Sequence, residues 1–193
     1  AAGDTGGAKD GELVEAEQLG KQRHAGLIRV KIVEVLGDPM ASKSISLIAI
    51  HEHGIPDHFP DNVVADAEAA KPVDLGERTD LRDLPLFTID PSDARDHDDA
   101  ICAIPDQDPK NAGGHIIWVA IADVAYYVRS NSPLDKEARK RGNSSYFPDR
   151  VVPMLPDVLS GDLCSLHEGV DRACLALRIV LNADGKRLDH EFH

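Results

Sequence analysis

At 193 residues, 42% of them apolar but only 4% aromatic, the chain is long enough for one or two domains with a real core. Its formal net charge of −13 excludes broad electrostatic adhesion to phosphate backbones, so any nucleic-acid role must work through local basic groups or divalent cations. The apolar runs are strand-sized and the opening AAGDTGGAKDGE has neither a basic start nor an apolar segment, which argues against a spanning helix and a secretory signal. Three cysteines (Cys102, Cys164 and Cys174), with no CxxC spacing, fit buried or neutral thiols in a reducing cytoplasm.

After a Gly- and Ala-rich opening, GELVEAEQL reads as a weak strand. GLIRVKIVEVLG is a stronger one, alternating Ile28, Val30 and Ile32 against Arg29 and Lys31 and stopping at Gly37-Asp38-Pro39. SISLIAIHEHGI reads as a third strand, with His51 and His53 on one side of it but no further ligands to complete a metal set. Three strands with turn-rich joints suggest part of a small antiparallel barrel. FPDNVVADAEAAKPVD predicts a short helix capped near Asp61 or Asn62 and ended before Pro72. The charged, Pro-bounded stretch from Val73 to Leu84 reads as a linker.

LPLFTID reads as a compact strand, AICAI as the next, DQDPKNAGGH as a hairpin-like loop and IIWVAIADVAYYV as a long buried strand. SPLDKEARKRG predicts a helix with Ser132 as N-cap, Pro133 at its first position and Gly142 as terminator. Its basic end, Arg139 to Arg141, reads as a solvated helix terminus suited to the helix dipole. YFPDRVVPMLPDVLSGDLCSL is Pro-punctuated, with a short helix after Pro156. ACLALRIVLNADGKRLDHEF is a hairpin turning at Asn182 to Gly185, with Ala173, Leu175, Leu177 and Ile179 on one face. The chain stops in this hairpin, and both ends are expected to continue in something longer.

Between the two strands LPLFTID and AICAI stand five aspartates from Asp90 to Asp99, relieved by Arg95 and His97. At an effective dielectric near 20, two carboxylates about 4 Å apart repel by roughly 4 kcal/mol. Compact folding here needs a cation, a raised pKa or separation in solvent. An EF-hand is excluded because Arg95 takes the glycine position and no glutamate follows at the twelfth. A carboxylate dyad sharing a proton lacks its matching glycine-bearing loops. A magnesium-type site built on Asp90, Asp96, Asp98 and Asp99 is the leading reading, since hard cations take oxygen ligands and two-metal sites serve phosphoryl displacement. A solvated acidic turn is the alternative. Asp123, in the buried IADV, is a candidate supporting carboxylate or a structural one.

DLRDLPLFTIDPSDARDHDDA resembles the opening motif of the catalytic (RNB) domain of the ribonuclease II/ribonuclease R family. WVAIADVAYYV, SPLDKEARKRGNSSYFPDRVVPMLP and LSGDLCSL follow in that family's order, and IVEVLGD and HEHGIPDHFP resemble the end of the cold-shock domain that precedes it in the ribonuclease R branch. The resemblance runs from Gly26 onward. It implies a processive 3′-to-5′ exoribonuclease that releases nucleoside 5′-monophosphates with Mg²⁺ (or Mn²⁺). It assigns metal binding and catalysis to Asp90, Asp96, Asp98 and Asp99, with Asp98 foremost, and contact with the 3′-terminal nucleotide to Tyr146. Stacking there suits a sequence-blind enzyme, since every base offers a π-face. His97 stands where many members carry phenylalanine, and packing is its expected role. The family's catalytic arginine and ribose-reading residues belong to a later part of the domain.

The expected fold is α+β. Residues 1–60 form the C-terminal part of a cold-shock (OB-like) antiparallel barrel, 61–84 a helix and linker, and 85–193 the N-terminal part of a mixed RNB catalytic domain. RNA is the expected partner, with no membrane and no stable protein partner. The rival readings are an RNA-binding module without activity and a different metal-dependent phosphoesterase.

Overall fold

The structure is a computed structural model, and the residues it describes are 5–24 and 27–193. In chain order the elements are β1 (Leu13–His24), β2 (Leu27–Gly37), α1 (Ser42–Glu52), α2 (Asp61–Glu68), β3 (Asp99–Pro105), β4 (His115–Ala122), α3 (Val124–Tyr127), α4 (Pro133–Arg141), β5 (Ser145–Tyr146), β6 (Val151–Val152), β7 (Cys174–Leu181) and β8 (Arg187–Phe192). A 3₁₀ turn at Pro109–Asn111 and a π-helical turn at Val158–Leu163 supplement them. The chain divides into two compact units, Ala1–Asp57 with Ser145–Val152, and His58–Ser144 with Pro153–His193.

In the first unit β1 and β2 pair antiparallel as a two-stranded ribbon with three breaks in register. β2 is the strand expected, but it is not half-buried: Ile28 and Val30 are exposed like their neighbours Arg29 and Lys31, and so is Val33. The third strand expected at SISLIAIHEHGI is instead the helix α1. The four-residue apolar run from Leu47 to Ile50 cannot distinguish strand from helix by its period, and the Asp38 turn decides it. The Asp38 carboxylate accepts from the Met40 amide (2.8 Å) and its carbonyl accepts from the Ser44 hydroxyl (2.6 Å), winding the chain into the first turn. Ser44, Ser46 and Ile50 are buried while Ile45 and Ile48 face solvent. His51 lies in the last turn of this helix and His53 is its C-cap, so the two do not share a strand face. The β5–β6 hairpin completes the unit, and the Asp149 carboxylate in its turn accepts from the Ser46 hydroxyl.

The second unit is built on one antiparallel sheet in the order β3-β4-β7-β8. LPLFTID does not form a full strand: Phe87 alone bridges Ile101, with N–H···O distances of 3.0 and 2.9 Å in the two directions. The long strand expected through IIWVAIADVAYYV ends at Ala122, because the Asp123 side chain accepts from the Tyr126 amide and turns the chain into α3. One sheet face buries Cys102, Trp118, Ala120 and Ala176 against Leu81, Leu84 and Leu86, so the charged linker covers the sheet with its leucines. Arg82 ties that segment down through Asp80 and Asp171. Ala173, Leu175, Leu177 and Ile179 share a face as expected, but it is the opposite one. There Ile101, Val119, Leu177 and Phe192 stand in register, with Leu175 and Phe192 exposed.

A second core joins α2, α4 and the π-helical turn through Val63, Ala67, Leu134, Leu155, Leu159, Leu163 and Cys164. α4 begins and ends as its sequence dictates: the Ser132 hydroxyl accepts from the Asp135 amide, and Gly142 ends it at φ 79°. α2 starts after Pro60 without a side-chain cap.

Candidate functional site

The sheet that carries the second unit also presents the aspartates. β3 begins at Asp99, paired with Ile121, and the carbonyl of Asp98 accepts from the Ala122 amide at 2.9 Å. Both residues are therefore fixed to the end of β4. Successive residues of an extended segment face opposite sides, so Asp98 and Asp99 diverge from one backbone. Asp90 lies across the loop, three residues after the Phe87 bridge. Its Oδ2 is 2.9 Å from Nδ1 of His97, and the Thr88 hydroxyl is 3.4 Å from the same nitrogen. His97 does more than the packing expected of it: besides an edge contact with the His167 ring (5.7 Å), it anchors Asp90 by a hydrogen bond.

The electrostatics follow. Hydrogen bonds from His97 and then Thr88 hold the Asp90 carboxyl below its ordinary range. The Asp98 carboxyl is pushed up, first by desolvation against the surrounding protein, although it keeps contact with solvent, and then by the negative charges of Asp96, Asp99 and Asp90. Asp98 thus feels the charge of the other three carboxylates. They are not drawn to a single point: among the described residues no three His, Cys, Asp or Glu side chains are gathered closely enough to hold an ion. Asp90 is diverted to His97, and Asp98 and Asp99 leave the strand in opposite directions. For a hard divalent cation the set fits in kind, being all oxygen donors, and in charge, since Asp98 already bears the repulsion a cation would relieve.

Tyr146 lies in β5, paired with Val151 and 65% exposed, in the first unit, whereas the four aspartates belong to the second. Asp123 is a structural carboxylate: it caps α3 and pairs with Arg78 at 2.7 Å. The guanidinium groups of Arg78 and Arg129 both lie near the Tyr126 ring.

The basic end of α4 is only in part the solvated terminus expected, since Arg139 and Lys140 are exposed. Arg139 pairs with Asp135 in solvent, but the Arg141 side chain is 2% exposed. It donates to Glu137 (3.0 Å) and to the carbonyls of Pro153 (3.1 Å) and His58 (2.7 Å), and stacks 3.6 Å from the centre of the Phe59 ring. All three thiols are free, and burial pushes each of them up, Cys164 to about 11, which keeps them neutral.

Sequence reasoning passed over Ser165 and Arg172. LSGDLCSL gave order along the chain but no role for its serines, whereas Ser165 reaches the aspartate loop from about seventy residues away. Among the described residues no helix is long and apolar enough to cross a membrane.

Comparison with known proteins places these observations. Residues 78–193 match the RNB domain family model and residues 1–60 the cold shock domain model. A curated relative, "Ribonuclease R" of Escherichia coli (strain K12), is 45% identical over 191 residues, covering 97% of this chain and 23% of the relative. The apo form of Mycoplasma genitalium RNase R superposes with a TM-score of 0.79 at 30% identity, over 97% of this chain and 29% of that one. The same Mycoplasma protein in complex with ribose methylated single-stranded RNA gives 0.75 at 31% identity, over 87% and 26%. The chain therefore spans about a quarter of the length of the proteins it matches.

Proposed function

The chain belongs to the RNB domain family, with a cold-shock, OB-like N-terminal part in an α+β fold, and from that premise we propose that it forms part of a 3′-to-5′ exoribonuclease hydrolysing RNA to nucleoside 5′-monophosphates. The observation that carries the reading is the crowding at Asp98: three further carboxylates bear on it within the stretch that matches the RNB domain. The proposed organisation is a cold-shock portion over 1–60, a helix and linker over 61–84, and the N-terminal part of the catalytic domain over 85–193. RNA as substrate is supported by the Mycoplasma relative's complex with single-stranded RNA.

Asp90, Asp96, Asp98 and Asp99 would hold Mg²⁺ or Mn²⁺. A divalent ion bound there supplies Lewis-acid stabilisation of charge developing on the scissile phosphate. The chain's own residues do the rest. His97 fixes the direction of the Asp90 carboxylate, and the β3–β4 ladder fixes Asp98 and Asp99. Tyr146, exposed on its hairpin, offers a ring to the last base, where stacking contributes about 1–3 kcal/mol regardless of sequence. Recognition of the 2′-hydroxyl separates RNA from DNA. The proposed setting is cytoplasmic, with no stable protein partner.

The test is release of mononucleotide from a 3′-labelled RNA in the full chain and in the longer family protein. Release is expected to require Mg²⁺ or Mn²⁺ and to vanish with EDTA and with Asp98→Asn. RNA binding without any metal-dependent release, in both proteins, would favour a binding module, a reading supported by carboxylates that are not gathered into a closed set. Turnover of a chromogenic phosphate ester with none on RNA would favour a different phosphoesterase.

A further inference from the structure

Ser165 is fully buried, with 0% of its surface exposed, and its hydroxyl is shared between two backbone groups of the aspartate loop. It accepts from the His97 amide at 3.0 Å and donates to the Arg95 carbonyl at 2.9 Å. The next residue adds a third tie, the Leu166 amide donating to the His97 carbonyl at 2.8 Å. These bonds bracket Asp96 on both sides. They also fix the backbone of His97, whose ring holds Asp90. One buried hydroxyl thus governs both chain segments that bring carboxylates to the site. Ser165 is itself braced: Arg172 donates to the Ser165 carbonyl (3.2 Å) and to the Asp162 carbonyl (3.1 Å), while its guanidinium pairs with the Asp162 carboxylate at 2.5 Å. A buried serine needs two partners for its hydroxyl, and many backbone groups would satisfy it. Spending both bonds on residues 95 and 97, about seventy positions away, ties the geometry of the carboxylate loop to the segment 162–172.

We infer that Ser165 is a positioning residue for the metal-binding aspartates, holding Asp96 through the backbone on either side of it and Asp90 through His97, with Arg172 bracing it from behind. The inference rests on the metal reading given above, and its test separates the two. Backbone amide exchange is measured on the metal-free full chain, and Mn²⁺ binding is measured by titration calorimetry, for the wild type, Ser165→Ala, Ser165→Cys and Asp98→Asn. In Ser165→Ala the His97 and Leu166 amides are expected to exchange at least about tenfold faster, with β3 and β4 amides unchanged. Mn²⁺ binding is expected to weaken by about 10–100-fold, the range seen when the support of a ligand is removed. Ser165→Cys, which keeps a weak donor and acceptor in nearly the same volume, is expected to fall between; it also decides the matter if the alanine variant does not fold.

Uniformly faster exchange through the whole sheet would show a merely structural serine and overturn the inference. So would Mn²⁺ affinity unchanged in Ser165→Ala while Asp98→Asn abolishes it. If the wild type takes up no Mn²⁺, or Asp98→Asn binds it as well as the wild type, the metal reading fails instead. The exchange at His97 and Leu166 then judges by itself whether Ser165 positions the loop.

Discussion

The β1–β2 ribbon and the β3-β4-β7-β8 sheet are both antiparallel and both rich in β-branched residues, yet they are stabilised differently. The ribbon has two strands and leaves Ile28, Val30 and Val33 in solvent. The sheet has four, and its interior strand β4 buries Trp118, Ala120 and Ala122. Strand pairing satisfies backbone groups in both. Among the described residues only the sheet turns pairing into a core, because it has a face covered by Leu81, Leu84 and Leu86 and a helical layer joined through Ala122. Stability, and with it the fixed placement of side chains, concentrates where the aspartates are mounted.

That contrast is broken most severely at Arg141. Arg141→Ala leaves the buried Glu137 carboxylate with only the longer, 3.7 Å pairing to Lys140 and strips donors from the Pro153 and His58 carbonyls. A loss of about 3–5 kcal/mol is expected, read by urea unfolding followed by Trp118 fluorescence. Arg141→Lys is expected to recover little, since an ammonium cannot reproduce the forked geometry or the stacking on Phe59. An intermediate effect is expected at Gly114, at the β4 end of the 3₁₀ loop. A Cβ there would stand 2.5 Å from the Leu181 carbonyl oxygen and against the buried Asn111 amide, which itself bonds Asp106 and Leu181. Gly114→Ala should cost about 1–3 kcal/mol in the same assay. The smallest effect belongs to the ribbon. Val33→Thr, at a position 59% exposed, should change stability by less than about 0.5 kcal/mol. A larger loss there would mean that the ribbon packs in solution as tightly as the sheet.

The same division explains what could be read from the sequence. α4 was legible because its signals are local: Ser132 caps it, Pro133 starts it and Gly142 ends it within eleven residues. The β7–β8 hairpin was legible because the Asn182 side chain accepts from the Asp184 and Lys186 amides and closes the turn itself. α1 was missed because the apolar run allows either period and the Asp38 bonds that decide it involve the Ser44 hydroxyl, not hydrophobicity. The end of β4 was missed because Asp123 acts as a cap inside what looks like one apolar stretch. At the proposed site, the aspartates were singled out by their crowding and by the family motif, but the bonds that support their loop were not legible. Arg141 was read as solvated because its burial depends on His58 and Phe59, some eighty residues away. Ser165 carried no local mark at all, since its meaning lies in the backbone of Arg95 and His97.

The β3–β4 ladder also sets a tolerance on chain length. Because Asp98 and Asp99 are consecutive at the mouth of a strand whose partners are assigned residue by residue, gaining or losing one residue between Ile89 and Asp98 would strain the loop or slide the strand. A slide by one position would turn every side chain to the reverse side of the sheet, so Trp118's neighbour Cys102 would trade places with Ile101 and the two carboxylates would exchange their outlooks. The segment therefore behaves like a keyed shaft: its residue count cannot drift without unseating the core and the carboxylates together.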